Sequence, residues 1–437
     1  MRDIALALIF AVLISFAFKR AWMGLLIWSW FSYMNPHRYV YSWGYNFQWV
    51  LITAAVTVFV WLGSKERKTF PLTLGTCLEI VLCFWMTFTT FFAFADTAWD
   101  YWNRAIKVQI MIFMTLFIMR SRFRLNALVF TIAISLGFIG VKGGIWAFLT
   151  GGTSQVIGPA QSFISDNNTC ALALVMVLPL IRYLQLQSPW KFGRWAAAFA
   201  QVTISLAILS TYSRGGFIAL CVVQMLLWMT SRHKIAFAIA LLLVVPPLIK
   251  FMPQQWKDRM HTIETTDEDQ LDDSAKGRLN SWGFALNLVQ DRPITGGGFH
   301  VFISPAFVTY APDAKNRHDA HSIYFEFLAE QGIPGLLMFL GMGFYTWYTA
   351  RNIIRRTKKI PEFGWMRDMV SMVLVSLAGY ATGGAFVGLG YFDLPYHLMA
   401  IVVLCECVLN DTMRSAAKRY EGNIELAAAE VEALAPV

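Results

Sequence analysis

The stretch RSRFRLNALVFTIAISLGFIGVKGGIWAFL, residues 120–149, joins a cluster of arginines to an apolar run whose one charged residue is Lys142. Residues 125–148 are long enough to cross a hydrocarbon core about 30 Å thick as a helix, and they do not alternate as barrel strands would. Similar runs recur along a chain that is 57% hydrophobic and 14% charged, with a mean hydropathy of +0.51. This composition is too apolar for a soluble protein of the same length, so the sequence predicts an all-α polytopic membrane protein.

Short basic clusters separate the apolar runs. They are KERK (65–68), RSRFR (120–124), KFGR (191–194), SRHK (231–234) and RRTKK (355–359). Because positively charged loops are retained in the cytoplasm, all of these clusters are expected on that side. The net charge of +9 follows the same pattern, so it does not predict a nucleic-acid partner.

The clusters divide the chain into about twelve transmembrane helices with both termini in the cytoplasm. The predicted spans are 4–33, 47–62, 71–95, 104–119, 125–148, 164–185, 196–211, 215–230, 235–251, 322–350, 366–387 and 396–410. Here 4–33 is one span, broken at Lys19 and Arg20, which either line a polar cavity or reach the cytoplasmic boundary. If the break separates two spans, the N-terminus lies outside instead. No small-residue cleavage site follows the first run, so that helix is expected to remain.

This topology predicts a single membrane domain with one large external loop. We expect N-terminal transmembrane helices over 1–251, the external loop over 252–321, C-terminal transmembrane helices over 322–410 and a cytoplasmic tail over 411–437. Within the loop, Leu279, Trp282 and Leu286 recur at helical spacing and predict an amphipathic helix. The glycines at 296–298 predict a flexible hinge, because the loop lacks the Lys-Ser/Thr that completes a phosphate-binding loop.

No metal site is predicted. The six cysteines lie in or beside apolar runs, where a thiol behaves as a small hydrophobe. The triplet Cys405-Glu406-Cys407 lacks a second ligand pair. The external carboxylates at 267–273 fall in an acidic tract that predicts neither a helix nor a turn, so they do not form a convincing ligand set.

Three titratable residues are expected on the external side of the membrane. Arg214 lies in TYSRGG (211–216) at a predicted hairpin tip, Arg278 begins the amphipathic helix, and His321 precedes the helix that re-enters the membrane. Arg214 alone fits either interfacial anchoring or a functional role. Together the three residues could converge on one site.

The stretch HSIYFEFLAEQGIPG, residues 321–335, begins that re-entering helix. Asp319 and Ser322 are both possible N-caps. Tyr324 shares the face of His321, whereas Glu330 lies near the opposite face and is expected to brace a neighbouring helix. His318 is the rival of His321, His300 and His397 are predicted to be structural, and His37, His233 and His261 carry no specific signal.

Three motifs occur in a fixed order along the chain. They are SRGG (213–216), GRxxxWxxAL (277–286) followed by PITGGGF (293–299), and HSxYxxxxAExGxxG (321–335). In this order they resemble the O-antigen ligase family, part of the O-antigen ligase and polymerase superfamily of bacterial envelope glycosyltransferases. NPHR (35–38) and DNNTCALALVMVLPL (166–180) are further similar to the O-glycosylation ligases associated with exosortase systems. The resemblance extends from about residue 30 to about residue 400.

The resemblance implies a GT-C-like glycosyltransferase of the bacterial inner membrane, with its site and the 252–321 loop facing the periplasm. Such an enzyme transfers a glycan from undecaprenyl diphosphate to a sugar hydroxyl of lipid A-core oligosaccharide. The expected partners are this donor, this acceptor and membrane lipids. The donor is already activated, so neither a nucleotide nor a metal nor another cofactor is expected.

The same resemblance assigns roles to particular residues. Arg214 and Arg278 are expected to bind the diphosphate, because guanidinium groups make bidentate bonds to phosphate. Arg38 and Arg104 are further candidates, and Lys142 either contacts the lipid phosphate or reaches the headgroups. His321 acts as general base in an inverting attack or donates a hydrogen bond to the diphosphate, with Tyr324 and Glu330 supporting it and His318 as a loop or acceptor contact.

Two alternatives to a lipid A-core ligase remain at this stage. A relative using the same donor could extend a polysaccharide, as a polymerase, or modify a protein hydroxyl. A transporter could instead bind the lipid-linked glycan without chemistry. Transporters show paired repeats and charges along a midplane path, whereas these charges concentrate on the external side and favour an enzyme. The length of the external loop and the exosortase-associated resemblance favour a ligase.

Overall fold

The computed structural model describes residues 1–66, 68–231, 233–261 and 273–433, without the side chains of His261 and residues 418–433. Within these ranges the chain forms α-helices, short 3₁₀ turns and irregular connections, so the predicted all-α class is confirmed. Seven of the described helices are long and apolar enough to cross a membrane. The predicted number of twelve spans is not confirmed by this measure.

Seventeen helices follow one another along the described chain. They are α1 (Arg2–Lys19), α2 (Ala21–Met34), α3 (Trp43–Asn46), α4 (Trp49–Gly63), α5 (Leu74–Thr90), α6 (Ala98–Ile118), α7 (Arg122–Leu149), α8 (Asn167–Gln187), α9 (Lys191–Leu209), α10 (Arg214–Thr230), α11 (Lys234–Phe251), α12 (Gln254–His261), α13 (Asp273–Asp291), α14 (Ala306–Tyr310), α15 (Ile323–Thr357), α16 (Gly364–Gly383) and α17 (Asp393–Ala433). Arg67 of KERK, Arg232 of SRHK and the predicted acidic tract over 262–272 lie outside the described residues.

Polar side chains begin several of these helices. The Asp166 carboxylate accepts from the backbone of Asn168 and Thr169 at the start of α8, and Ser121 and Ser213 cap α7 and α10 in the same way. Such residues satisfy the backbone donors that the first helical turn leaves unpaired. The helix starts are therefore fixed locally by the sequence.

Helix α8 occupies the centre of the bundle. It is buried along most of its length and packs against α7, α9, α10 and α16. Small residues allow the close crossings: a Cβ added at Gly379 of α16 would lie 3.0 Å from Val175 of α8 and 2.6 Å from Val223 of α10. In the same core His397 bonds to Tyr33 at 2.6 Å and to Thr115 at 3.0 Å, which confirms its predicted structural role.

The N-terminal helices differ from the predicted single broken span. Arg20 is extended and joins α1 to α2 directly. The helices then run antiparallel: Phe10 stacks edge-on against Phe31, with ring centroids 5.7 Å apart, and Asp3 accepts from the backbone of Ser42 beyond the end of α2. Helices α1 and α2 thus form a hairpin, with exposed Lys19 and Arg20 at its tip. The break at Arg20 therefore separates two helices, and neither the twelve-span nor the thirteen-span count is confirmed.

The glycines at 296–298 also differ from the predicted hinge. Gly297 and Gly298 donate to the carbonyls of Ala329 and Glu330 at 2.8 and 3.0 Å. These carbonyls are accessible because α15 kinks at Gly332, where φ is 69° and ψ is −175°. The glycine segment is therefore pinned to the kink and fixes the position of the loop over α15.

Candidate active site

A cavity of about 370 Å³ opens at one end of the bundle, where the 299–321 loop meets the first turns of α15. The starts of α6 and α8 and the segment before α17 complete its walls. Its lining residues are Tyr101, Arg104, Ala105, Phe163, Ser165, Asp166, Thr169, Phe299, His300, Phe302, Asp319, Ala320, His321, Glu326, Glu330, Val387, Gly388, Leu389, Tyr391 and Phe392. Of the predicted site residues, His321, Arg104 and Glu330 therefore share one cavity.

His321 stands on the cavity wall immediately before α15. Its φ of 43° is left-handed, a conformation that residues other than glycine adopt rarely and often at functional sites. Burial and the neighbouring Arg278 guanidinium lower the pKa of His321 below its ordinary value of 6.5, although Asp319 and Asp166 oppose this effect. The imidazole is consequently held in its neutral form near neutral pH.

The predicted capping of α15 is wrong in one respect. Ser322 occupies the N-cap position, but its side chain makes no capping hydrogen bond. Asp319 lies instead on the cavity wall, where its charge offsets part of the lowering of the pKa of His300 and of His321. The carboxylate of Asp319 is therefore part of the electrostatics of the site.

Helix α13 holds the loop that carries His321. The Asn280 side chain donates to the carbonyls of Asp313 and Asn316 at 2.8 and 2.6 Å. The Ser281 hydroxyl donates to the carbonyl of His318 at 2.8 Å, and Trp282 Nε1 donates to the carbonyl of Ala320 at 2.9 Å.

The same contacts decide which histidine faces the cavity. The ring of His318 packs over Gly277, where an added Cβ would lie 2.4 Å from Cδ2, and His318 is exposed outside the cavity lining. Arg278 follows Gly277 in α13 and is close enough to lower the pKa of His321. The structure thus brings two of the predicted residues, Arg278 and His321, together near the N-terminal end of α13, although only His321 lines the cavity.

Two glutamates of α15 face the cavity and hold its other walls. Glu330 Oε1 accepts from the backbone N–H of His300 at 2.7 Å, and Glu326 Oε2 accepts from the backbone N–H of Gly390 at 2.8 Å. The prediction that Glu330 braces a neighbouring helix is therefore wrong, because its carboxylate bonds the backbone of the cavity segment that carries His300. Because Glu326 and Glu330 are four residues apart, their side chains lie on one face of α15.

His300 and Tyr101 form a wall that the sequence did not predict. Their rings stack with centroids 3.8 Å apart, and His300 Nδ1 lies 2.9 Å from Thr97 Oγ1. The Arg104 guanidinium lies 5.2 Å from the Tyr101 ring centroid. The stacking joins residues about two hundred positions apart, so no local pattern could have indicated it. His300 was predicted to be structural, but its ring lines the cavity.

Arg214 lies beside the cavity and not on its lining. It is the first residue of α10, half-buried, after the Ser213 cap whose hydroxyl donates to Asn168 Oδ1 at 2.7 Å. The next residue, Gly215, packs on Phe386, with an added Cβ 2.8 Å from Phe386 Cβ. Because Val387 and Gly388 follow Phe386 and line the cavity, Arg214 stands behind that wall.

The structure places Arg38, Lys142 and Tyr324 outside the cavity lining. Arg38 donates to Gln161 Oε1 at 2.9 Å, and Lys142 lies over the Tyr39 ring at 5.0 Å from its centroid. The Tyr324 hydroxyl donates to the carbonyl of Ala381 in α16 at 2.8 Å. Arg38 thus contacts the segment that contributes Phe163 to the cavity, whereas Tyr324 joins α15 to the end of α16.

Among the residues that the structure describes, no group of three or more His, Cys, Asp and Glu side chains is arranged to hold a metal ion. The acidic residues of the cavity instead bond to backbone donors or lie near the histidines. Their arrangement suits hydrogen bonding to a polar substrate.

Comparison with known families agrees with this architecture of a multi-pass all-α membrane protein with a polar site at one end. Residues 199–340 match the O-antigen ligase family, and this range holds Arg214, Arg278 and His321. This match supports the O-antigen ligase superfamily for the part of the chain that it covers. Residues 1–188 match a family of unknown function, DUF5935. No curated protein gives a significant match. The resemblance to the exosortase-associated branch remains a prediction.

The family match supports O-antigen ligase or polymerase function, and with it a ligase activity of the glycosyltransferase type. It implies a lipid-linked glycan as one substrate and an acceptor as the other. The roles of the individual cavity residues are not assigned by the match.

Proposed function

We propose that this protein is an O-antigen ligase that transfers a glycan from undecaprenyl diphosphate to a sugar hydroxyl of lipid A-core oligosaccharide. The reaction takes place on the periplasmic face of the inner membrane, without a metal ion. The observation that carries the proposal is the proximity of the Arg278 charge to His321, which lines the cavity; both residues lie within the range that matches the O-antigen ligase family. A cation for the leaving diphosphate and a neutral base for the attacking hydroxyl then stand side by side.

The position of the cavity supports the periplasmic assignment. Arg104 lines the cavity near the start of α6, whereas the RSRFR cluster begins at Arg120 beyond the other end of the same helix. Sixteen residues of α-helix separate the two points by about 24 Å, most of the thickness of a hydrocarbon core. Since basic clusters are retained in the cytoplasm, the cavity faces the opposite side.

The donor diphosphate is assigned to the arginines. Arg278 in α13 acts electrostatically on His321, and Arg214 begins α10 behind the wall that contains Val387 and Gly388. A guanidinium group is permanently charged and bonds phosphate oxygens bidentately. Charge that is already in place where the leaving group develops negative charge stabilises the transition state. Arg104 is a further diphosphate ligand, with Arg38 and Lys142 as more distant contacts.

His321 removes the proton from the acceptor in this mechanism. The acceptor oxygen attacks the anomeric carbon while its proton passes to the neutral imidazole. The bond from the anomeric carbon to the diphosphate oxygen breaks, and its electron pair leaves on undecaprenyl diphosphate. Because one direct displacement takes place, the anomeric configuration inverts. The lowered pKa of His321 supports this role, since it keeps the base unprotonated near neutral pH.

The experiment uses purified protein in detergent with an undecaprenyl diphosphate glycan, EDTA and one of three acceptors: lipid A-core, free polysaccharide or a peptide. Product with lipid A-core alone supports the ligase. Product with polysaccharide or peptide alone establishes a polymerase or a protein ligase instead. A transporter is established if no acceptor gives product and if the protein, reconstituted in lipid vesicles, moves the donor across their membrane. Arg214→Ala is expected to lower the rate roughly 10²–10³-fold, the loss of about 2.7–4 kcal/mol of transition-state stabilisation.

A further inference from the structure

We propose that the wall formed by His300 and Tyr101 is the subsite for the acceptor sugar, with His300 Nε2 accepting a hydrogen bond from an acceptor hydroxyl. This inference rests on the proposed function and adds a second histidine to it. His321 acts on the reacting hydroxyl, whereas His300 is a positioning residue that orients the acceptor ring.

Three contacts and the backbone conformation hold His300 in one place. Its backbone N–H donates to Glu330 Oε1, its Nδ1 lies 2.9 Å from Thr97 Oγ1, and its ring stacks on Tyr101. Its φ of 63° is left-handed, so the backbone is also held in a conformation that few residues adopt. A side chain with only a packing role does not need this combination of constraints, whereas a group that must meet a substrate does.

The contact with Thr97 leaves Nε2 as the ring nitrogen of His300 that is available to a ligand. Nδ1 is engaged with Thr97, and when it carries the proton and donates to that hydroxyl, Nε2 presents its lone pair to the cavity. Burial lowers the pKa of His300, so the ring remains neutral and can accept a hydrogen bond. An accepting nitrogen suits a hydroxyl group.

The groups around this wall suit a sugar hydroxyl. Asp319 acts electrostatically on His300, and the Glu330 side chain bonds the His300 backbone. Carboxyl groups accept hydrogen bonds from hydroxyl groups. Arg104 lies over the Tyr101 ring and borders the part of the cavity that takes the diphosphate. The acceptor ring therefore lies against His300 and Tyr101, next to a diphosphate held by Arg104 beside His321.

The first test separates acceptor binding from donor binding. His300→Asn fits the left-handed backbone and keeps a polar group near the Nδ1 position, but it removes Nε2. We expect its KM for lipid A-core to rise roughly 3–10-fold, as for the loss of one neutral hydrogen bond, with unchanged binding of undecaprenyl diphosphate. Thr97→Val, which releases Nδ1, is expected to raise the same KM by less. An unchanged KM, or weaker donor binding in His300→Asn, overturns the inference.

The second test does not require turnover. Diethyl pyrocarbonate modifies accessible unprotonated imidazoles, and mass spectrometry reports the modification of each histidine. Core oligosaccharide released from lipid A is expected to protect His300 and not the exposed His318, whereas undecaprenyl diphosphate alone leaves His300 reactive. No protection by the oligosaccharide contradicts the subsite. Protection of His300 in a protein that makes no product sustains the subsite and contradicts the proposed transfer.

Discussion

Replacing Arg278 with glutamine is expected to change both the rate of transfer and its pH dependence. Arg278 provides the charge nearest to His321 that α13 contributes. If the guanidinium binds the diphosphate, its loss removes about 2.7–4 kcal/mol of transition-state stabilisation, a fall of roughly 10²–10³-fold in kcat. Since Arg278 is half-buried, the lower end of this range is the better expectation.

The change in pH dependence arises in the free enzyme, because kcat/KM reports the pKa of His321 before the substrate binds. Burial lowers the pKa of His321 below 6.5, and the positive charge of Arg278 lowers it further because it disfavours the protonated ring. A base with a lowered pKa stays active to lower pH, and the activity is lost as the pH falls through that pKa. Without Arg278 the pKa of His321 rises, so the acid limb of kcat/KM moves to higher pH.

The assay follows the mobility of the lipid A-core product on gels between about pH 5 and pH 8, with Lys276→Gln as the matched control. Lys276 is exposed on α13, two residues before Arg278, and its replacement removes the same charge. The control is expected to retain the wild-type rate and profile. The reasoning is refuted if Arg278→Gln transfers at the wild-type rate, or if its acid limb stays in place or moves to lower pH.

Two further predictions concern the structures that hold the site. Gly332→Ala is expected to destabilise the protein by about 1–3 kcal/mol and to abolish transfer. The backbone at Gly332 has dihedral angles that essentially only glycine adopts, and the new Cβ would lie 2.2 Å from the Ile294 carbonyl oxygen. Gly343→Ala on the same helix is the control, since its Cβ meets nothing within 4 Å; equal melting temperatures for the two variants in detergent would contradict the role of the kink. Trp282→Phe keeps the stacking on Phe325 but removes the bond to the Ala320 carbonyl, so it is expected to cost about 1–3 kcal/mol of unfolding free energy and to lower kcat. A variant with wild-type melting temperature and kcat would show that this bond does not hold His321 in place.

The sequence contained enough information for the class of fold and for one side of the site. Apolar length and composition predict membrane helices directly, and the capping residues Asp166 and Ser213 mark where α8 and α10 begin. The motifs around Arg278 and His321 lie in one loop and the helix after it, so their proximity could be anticipated. These are properties of short segments.

The other wall of the cavity depends on contacts between distant segments. Tyr101 and His300 stack although the sequence shows no shared period or charge pattern, and Glu330 bonds the backbone of His300 from thirty residues away. The glycines at 296–298 were predicted to form a hinge. The carbonyls that accept from Gly297 and Gly298 belong to the distant kink of α15 at Gly332, so no local pattern indicated these bonds. A local pattern indicates backbone freedom, but it does not show which long-range bonds remove that freedom.

The N-terminal hairpin illustrates the same limit. A connection as short as Arg20 resembles a break within one helix when only hydropathy is considered. Packing decides the matter, since Phe10 against Phe31 and Asp3 against Ser42 require α2 to reverse direction.

The most direct test of the central claim compares His321→Ala with His318→Ala in the transfer of glycan from undecaprenyl diphosphate to lipid A-core in EDTA. His318 lies three residues earlier, exposed and outside the cavity lining, so it controls for changes in the loop. If His321 is the base, His321→Ala loses roughly 10²–10⁴-fold in kcat while it still binds the donor, and His318→Ala retains activity. Full activity in His321→Ala, or equal losses in the two variants, would contradict the assignment of the base.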